Sequence, residues 1–170
     1  MLTKKIESIL NKQVEKEGYS SNLYLAMASW SEVNGYKGIS QWLYAQSDEE
    51  RMHMLKILLY INERDGKAIM PAFEKPPVEQ KSVLEMFKAV MKHEQFISKS
   101  INDIVALSIQ EKDFTTQNFI QWFVNEQIEE EANVKTILDK LKLTGESNLY
   151  LFDRDIMSLR TPAAGGTPAE

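Results

Sequence analysis

Four glutamates stand where a packed core should be apolar. Read at the helical period of 3.6 residues, the chain yields four stripes. The first is Ile6, Leu10, Val14, Glu17, Ser21, Tyr24, Ala28, and the second is Ile39, Leu43, Gln46, Glu50, His53, Ile57, Tyr60. The third is Val83, Phe87, Val90, Glu94, Ile97, Ile101, Ile104, and the fourth is Ile120, Phe123, Gln127, Glu130, Val134, Ile137, Leu141. Glu17, Glu50, Glu94 and Glu130 lie about 12 to 16 residues from their helix starts, so antiparallel packing brings them to one height. An ionised carboxylate in a core is costly unless it is paired or holds a cation. Four at one depth, with His53 three residues after Glu50, point to a metal centre rather than to a structural polar layer. Oxygen-rich ligands with one imidazole and no thiolate suit iron or manganese. Two adjacent Fe(II) ions can deliver two electrons to O2 together, without releasing superoxide.

The spacing holds a second regularity. Glu17 to Glu50 spans 33 residues, as does Glu94 to Gln127, and the two sets are offset by 77. Glu50-x-x-His53 therefore corresponds to Gln127-x-x-Glu130, and Glu49 corresponds to Glu126. The halves read as two copies of one helical hairpin facing each other across a pseudo-two-fold site, a symmetry that suits two metals bridged by shared carboxylates.

Glycine and proline mark out the elements that must position these groups. Breakers cluster at Asn34-Gly35-Tyr36-Lys37-Gly38 and from Gly66 to Pro77, and neither residue occurs from Val78 to Thr144. The spacing predicts an all-α, four-helix bundle with helices at about 4–33, 38–65, 82–110 and 114–142, and a short fifth at 147–159. Residues 1–160 form one domain, and 161–170 a disordered tail. Short links make two antiparallel hairpins. The connection over 65–81 can run the length of the bundle, which makes the second and third helices parallel, the one-crossover topology.

Composition mainly excludes. The 170 residues carry 20 basic and 25 acidic side chains, two histidines and no cysteine, for a net charge of -5. Disulfide frameworks, iron–sulfur clusters and cysteine nucleophiles are ruled out. The acidic balance argues against partnership with nucleic acid or an anionic membrane. With no apolar leader or membrane-length run, the expectation is a soluble cytoplasmic protein.

Glu17, the Glu50-x-x-His53 pair within Asp48-Glu49-Glu50-Arg51-Met52-His53, Glu94, and Asn125-Glu126-Gln127-Ile128-Glu129-Glu130-Glu131 resemble the ferroxidase centre of the ferritins, above all the bacterial haem-free branch. The resemblance covers roughly residues 1 to 160. It implies a first iron on Glu17, Glu50 and His53, and a second on Glu50, Glu94 and Glu130 with Gln127 alongside. A third position on Glu49, Glu126, Glu129 and Glu130 is implied as well, giving two to three iron sites per subunit. O2 or H2O2 as oxidant and a 24-subunit shell storing ferric oxyhydroxide follow from the resemblance alone. Gln127-x-x-Glu130 departs from the Glu-x-x-His found in both halves of many di-iron bundles, which favours a transit site over a permanent cofactor. Haem is not predicted: Arg51 stands where bacterioferritins place the methionine ligand, and Met52 is about 100° away around the helix. The alternatives are a di-iron oxidase or peroxidase without storage, a DNA-protecting mini-ferritin and a purely structural bundle.

The neighbours carry two readings each. Tyr24, two turns from Glu17, is an amphipathic core aromatic or, by the resemblance, a hydrogen-bonding or electron-donating neighbour. Trp122 reads as packing or as an interceptor of stray oxidant. Glu49, Glu126 and Glu129 form an acidic flank or an exit path for iron, whereas Glu131 reads as solvated and His93 as a surface or interface residue. For Gly18, costly inside a helix, the close approach of a neighbouring helix is one explanation.

Overall fold

The computed structural model describes residues 1–145 and 148–160. The expected disordered tail, 161–170, lies outside them, as does residue 147, the expected start of the fifth helix. Helices α1 (Lys4–Val33), α2 (Lys37–Glu63), α3 (Val83–Gln110), α4 (Phe114–Thr144) and α5 (Leu149–Asp155) are followed by a 3-10 turn, Ile156–Leu159. The described residues are all helix and connection.

Local chemistry sets the ends. Thr3 Oγ1 accepts from the Ile6 amide, Ser82 Oγ from Glu85 and Asp113 Oδ1 from Thr116, so α1, α3 and α4 each start on a side chain that takes an orphan N–H. Gly35 turns α1 into α2 at φ 84°, a conformation only glycine enters freely.

Cross-helix contacts fix the directions. Tyr24 meets Glu94, Ser20 meets His93 and Gln13 meets Ser100, so numbers fall along α1 as they rise along α3. Gln46 with Glu130 and Tyr60 with Thr116 give the same antiparallel sense for α2 and α4. Because α2 also runs against α1, α2 and α3 are parallel, and a long crossover must connect them. That crossover is strapped along α1. The Lys67 amide donates to Glu7, the Ile69 amide donates to Asn11 Oδ1 at 2.7 Å, and Asn11 Nδ2 returns a bond to the Lys67 carbonyl. Farther on, the Phe73 ring lies against Gly18 with no room for a β-carbon between them. The close neighbour of Gly18 is therefore the crossover and the Met54 sulfur, not a whole helix.

The apolar core is in two pieces. One gathers Met27, Leu43, Phe87 and Ile137 with Phe152 and Ile156, and the other gathers Leu10, Ile57, Ile101 and Phe123. Between them lies a buried layer holding Glu17, Glu50, His53, Glu94, Gln127 and Glu130. The segment after α4 folds back onto the first piece. Asp153 Oδ1 accepts the Ile39 amide at 2.9 Å, and the Asp153 carbonyl fills the space beside Gly38.

No helix among the described residues is long and apolar enough to cross a membrane. A methyl group at Gly38 would overlap the Asp153 carbonyl, so Gly38→Ala should lift α5 from α2 at a cost of about 1–3 kcal/mol. The check is a lower melting temperature with faster amide exchange confined to 149–159; an unchanged exchange pattern refutes the docking.

Candidate metal centre

Glu17 sits midway along α1 and Glu50 and His53 midway along α2, all at 2% exposure or less. One ligand atom from each comes within 4.8 Å of the others. Glu50 Oε2 is 3.5 Å from His53 Nδ1. Glu17 Oε2 and Glu50 Oε2 are buried and receive no N–H or hydroxyl donor from the described residues, so a proton held between the two carboxyls is all that joins them. Unsatisfied buried carboxylate oxygens are costly, and two of them aimed at one space beside an imidazole fit a cation. The other Glu17 oxygen is held: Gln13 donates to Oε1 at 2.7 Å, and Ser100 in turn donates to Gln13.

Glu94 and Glu130 face this group from α3 and α4, and each is restrained by uncharged donors. Tyr24 Oη donates a short hydrogen bond to Glu94, and Gln127 Nε2 donates to Glu94 Oε2 at 3.1 Å while also reaching Ser98. Gln46 Nε2 donates to Glu130 Oε2 at 2.7 Å. The expected second set, Glu50, Glu94 and Glu130, is not among the groups whose ligand atoms lie within 4.8 Å of one another among the described residues. Gln127 spends its N–H on Glu94, which steadies a ligand.

Titration follows from burial and crowding. Desolvation first, and the neighbouring Glu50 charge second, hold Glu17 well above the usual carboxylate range. Glu50 is raised by burial, then by Glu94 and Glu130. Burial raises Glu94 against the opposing pull of Tyr24 and Gln127, and raises Glu130 against Gln46. Tyr24, buried beside Glu94, is held well above its ordinary value. Carboxyls kept protonated in this way are neutral until a cation displaces the proton.

On the flank, Glu49, His53 and Glu126 form a second group within 4.8 Å. His53 thus belongs to both groups. Glu129 is half-buried and contributes only its charge, which helps raise Glu126 after burial itself. Glu131, expected to be solvated, is instead half-buried and accepts from Ser98 Oγ at 2.5 Å. The reason is its place in a groove of about 310 Å³ between α3 and α4, lined by Ser98, Asn102, Gln127 and Glu131. His93 is half-buried and lines a surface groove with Tyr19 and Phe96. Its Nε2 is 2.7 Å from Ser20 Oγ, and desolvation pulls its pKa down to about 4, leaving it neutral. Trp122 packs edge-on to His53 at 5.4 Å between ring centres, and the Lys56 ammonium lies 4.1 Å over its ring.

Sequence reading missed Gln13, Gln46, Ser100 and Arg160. A signal existed for two of them: Gln13 precedes Glu17 by four residues as Gln46 precedes Glu50, which extends the 33-residue repeat. Nothing in the pattern announces Arg160, which returns from beyond α5 to Glu49.

The folded chain keeps a proton on Glu17 that the unfolded chain gives up near 4.5, so this group's contribution to stability falls as pH rises from 4.5 through the folded value. In the metal-free protein Glu17→Gln should therefore stabilise, with a gain that widens with pH to about 1–3 kcal/mol at pH 8. Urea unfolding at pH 5 and pH 8 measures it, and a gap that narrows with pH refutes the assignment.

Comparison with known proteins places this arrangement. A sequence profile described as a ferritin-like domain matches residues 7–144. A bacterial non-heme ferritin of Campylobacter jejuni is 43% identical over 94% of this chain and 96% of its own length. A probable bacterial non-heme ferritin-like protein of Haemophilus influenzae is 41% identical over 96% of this chain and 100% of its own. Among solved structures, an open pore ferritin of the archaeon Archaeoglobus fulgidus superimposes with a TM-score of 0.90 at 42% identity, covering 95% of this chain and all of that one. On profile, identity over nearly the full length and fold together, the chain belongs to the ferritin family.

Proposed function

We propose that the chain is a ferroxidase and iron-storage subunit. It takes Fe(II) into the mid-bundle carboxylates, oxidises it with O2 or peroxide and releases Fe(III) to a ferric oxyhydroxide store. The observation that carries this reading is the pair of unpartnered buried oxygens, Glu17 Oε2 and Glu50 Oε2, beside His53. Family membership supports it.

Ferrous iron is the substrate. Glu17, Glu50 and His53 hold the first ion, and Glu50 is shared with the second, which Glu94 and Glu130 complete with Gln127 alongside. Entry of the ions displaces the protons that burial favours on these carboxyls, so the charge of the ions is met by the carboxylates they uncover. Each Fe(II) gives one electron to O2, which takes up two protons and leaves as H2O2. Each Fe(III) then reacts with two waters to give FeOOH and three protons. Tyr24, hydrogen-bonded to Glu94, orients that ligand and is placed to lend an electron. The flank of Glu49, Glu126 and Glu129, with Glu130, takes a third ion on its way out of the centre. Storage calls for a hollow shell, here of 24 copies in the cytoplasm, with iron and the oxidant as the small partners.

A di-iron oxidase without storage would use the same centre, and particle size separates the two. Light scattering should give about 470 kDa for 24 copies of the 19.6 kDa chain, whereas a dimer favours the alternative. Anaerobic Fe(II) should bind at two or more equivalents per chain, and Glu17→Ala and His53→Ala should each slow oxidation at least about 100-fold, as loss of a ligand or its support does. Failure of Fe(II) to bind, with both variants behaving as wild type, refutes the ferroxidase reading. Glu49→Ala and Glu129→Ala should alter the iron oxidised per O2, or the release rate, with the first two positions still filled in anomalous scattering. Unchanged stoichiometry, release and occupancy reject the flank as an exit.

A further inference from the structure

We propose that Arg160 is the resident counter-cation of the flank group, and that a divalent metal ion must displace it from Glu49 before Glu49 and Glu126 can close on the metal, His53 staying with the first ion. The proposal rests on reading these carboxylates as iron ligands, and it assigns a role to a residue outside the four-helix bundle.

The geometry is specific. Arg160 Nη2 stands 2.6 Å from Glu49 Oε2 and 3.4 Å from the Ala45 carbonyl, and Nη1 reaches Gln46 Oε1 at 3.2 Å. The planar fork thus spans three acceptors on α2, which a lysine ammonium has no shape to do. The Glu49 side chain is 6% exposed and that of Arg160 19%, so the pair is partly withdrawn from solvent and its hydrogen bond is a strong, charge-assisted one.

The guanidinium is delivered from a fixed base. Phe152 and Ile156 are buried in the upper core, and Asp153 caps the start of α2 through the Ile39 amide. The 3-10 turn therefore holds Arg160 over the flank whether or not Glu49 accepts it.

Two consequences follow from charge. Glu49 is one of the three residues of the flank group, so an ion bound there and a guanidinium on the same carboxylate repel each other and compete for its oxygens. The contact also extends inward. Gln46 takes Arg160 on its oxygen and gives its N–H to Glu130 Oε2, so the guanidinium sets the amide that restrains a carboxylate of the central layer. Displacing Arg160 leaves the Gln46 oxygen without its donor, so the amide that restrains Glu130 is free to turn. Filling of the flank is thereby linked to release of Glu130.

The test uses the full chain with anaerobic Fe(II), and with Zn(II) in parallel as a redox-silent probe. Affinity is read by titration calorimetry and position by anomalous scattering, in wild type, Arg160→Gln and Arg160→Lys. Arg160→Gln should bind the flank ion about tenfold tighter, the scale of one lost competing charge-assisted bond, with occupancy at Glu17, Glu50 and His53 unchanged. Arg160→Lys should fall between the two, and Glu49→Gln added to Arg160→Gln should empty the flank. An anchor with a purely structural role predicts the opposite direction. Equal or weaker flank binding in Arg160→Gln, or no flank occupancy in any of the three proteins, overturns the proposal. Absence of Fe(II) at Glu17, Glu50 and His53 in wild type overturns the ferroxidase reading instead, and Zn(II) at the flank then decides the role of Arg160 on its own.

Discussion

The whole bundle is organised around the cost of keeping carboxylates out of water. Glu17, Glu50, Glu94 and Glu130 lie at one depth and within 4% exposure, and like charges so confined drive one another toward the protonated state. The protein answers with neutral donors rather than with cations. Gln13, Tyr24, Gln127 and Gln46 each hold a carboxylate oxygen in place without cancelling its charge. A buried arginine or lysine would have made a stable ion pair and left nothing for a metal to bind. Arg160 instead acts from the rim, on Glu49.

Much of this was legible in the sequence, because the helical period fixes direction. A stripe of apolar residues broken by a glutamate says which way that glutamate points, and breaker-free runs give the helix lengths from which equal heights follow. The all-α bundle with its crossover came from that logic, as did the common depth of the four glutamates and His53, whereas the trio of Glu17, Glu50 and His53 came from the family resemblance. What the period cannot supply is the pairing of side chains across helices. Whether Gln46 turns toward Glu130, or Ser98 toward Glu131, depends on the rotation and height of one helix against another, which no single stripe records. Glu131 read as solvated for that reason. The neighbour of Gly18 was hidden differently: Phe73 lies in the crossover, where there is no periodicity to read.

The two halves share a spacing but have diverged in chemistry. At the 77-residue offset His53 is matched by Glu130, and Glu50 by Gln127. The first half therefore brings an imidazole and unpartnered oxygens together, while the second brings carboxylates already engaged by amide and phenol donors. Of the two, the first is the more preorganised, and the second must exchange hydrogen bonds before it can hold anything. Such inequality suits a centre whose contents leave, since an ion held less firmly on one side has a direction in which to go.

The division of the core into two apolar pieces has a mechanical side. Above and below the carboxylate layer the side chains interlock and exclude water, while at the layer itself the cohesion comes from hydrogen bonds, and the groove beside Gln127 and Glu131 opens to solvent between α3 and α4. The bundle is thus packed tightly along its axis on either side of a level that borders a solvent groove. A wall built of such subunits would carry a recess at the carboxylate level in the face of each subunit, and not only at the joints between subunits.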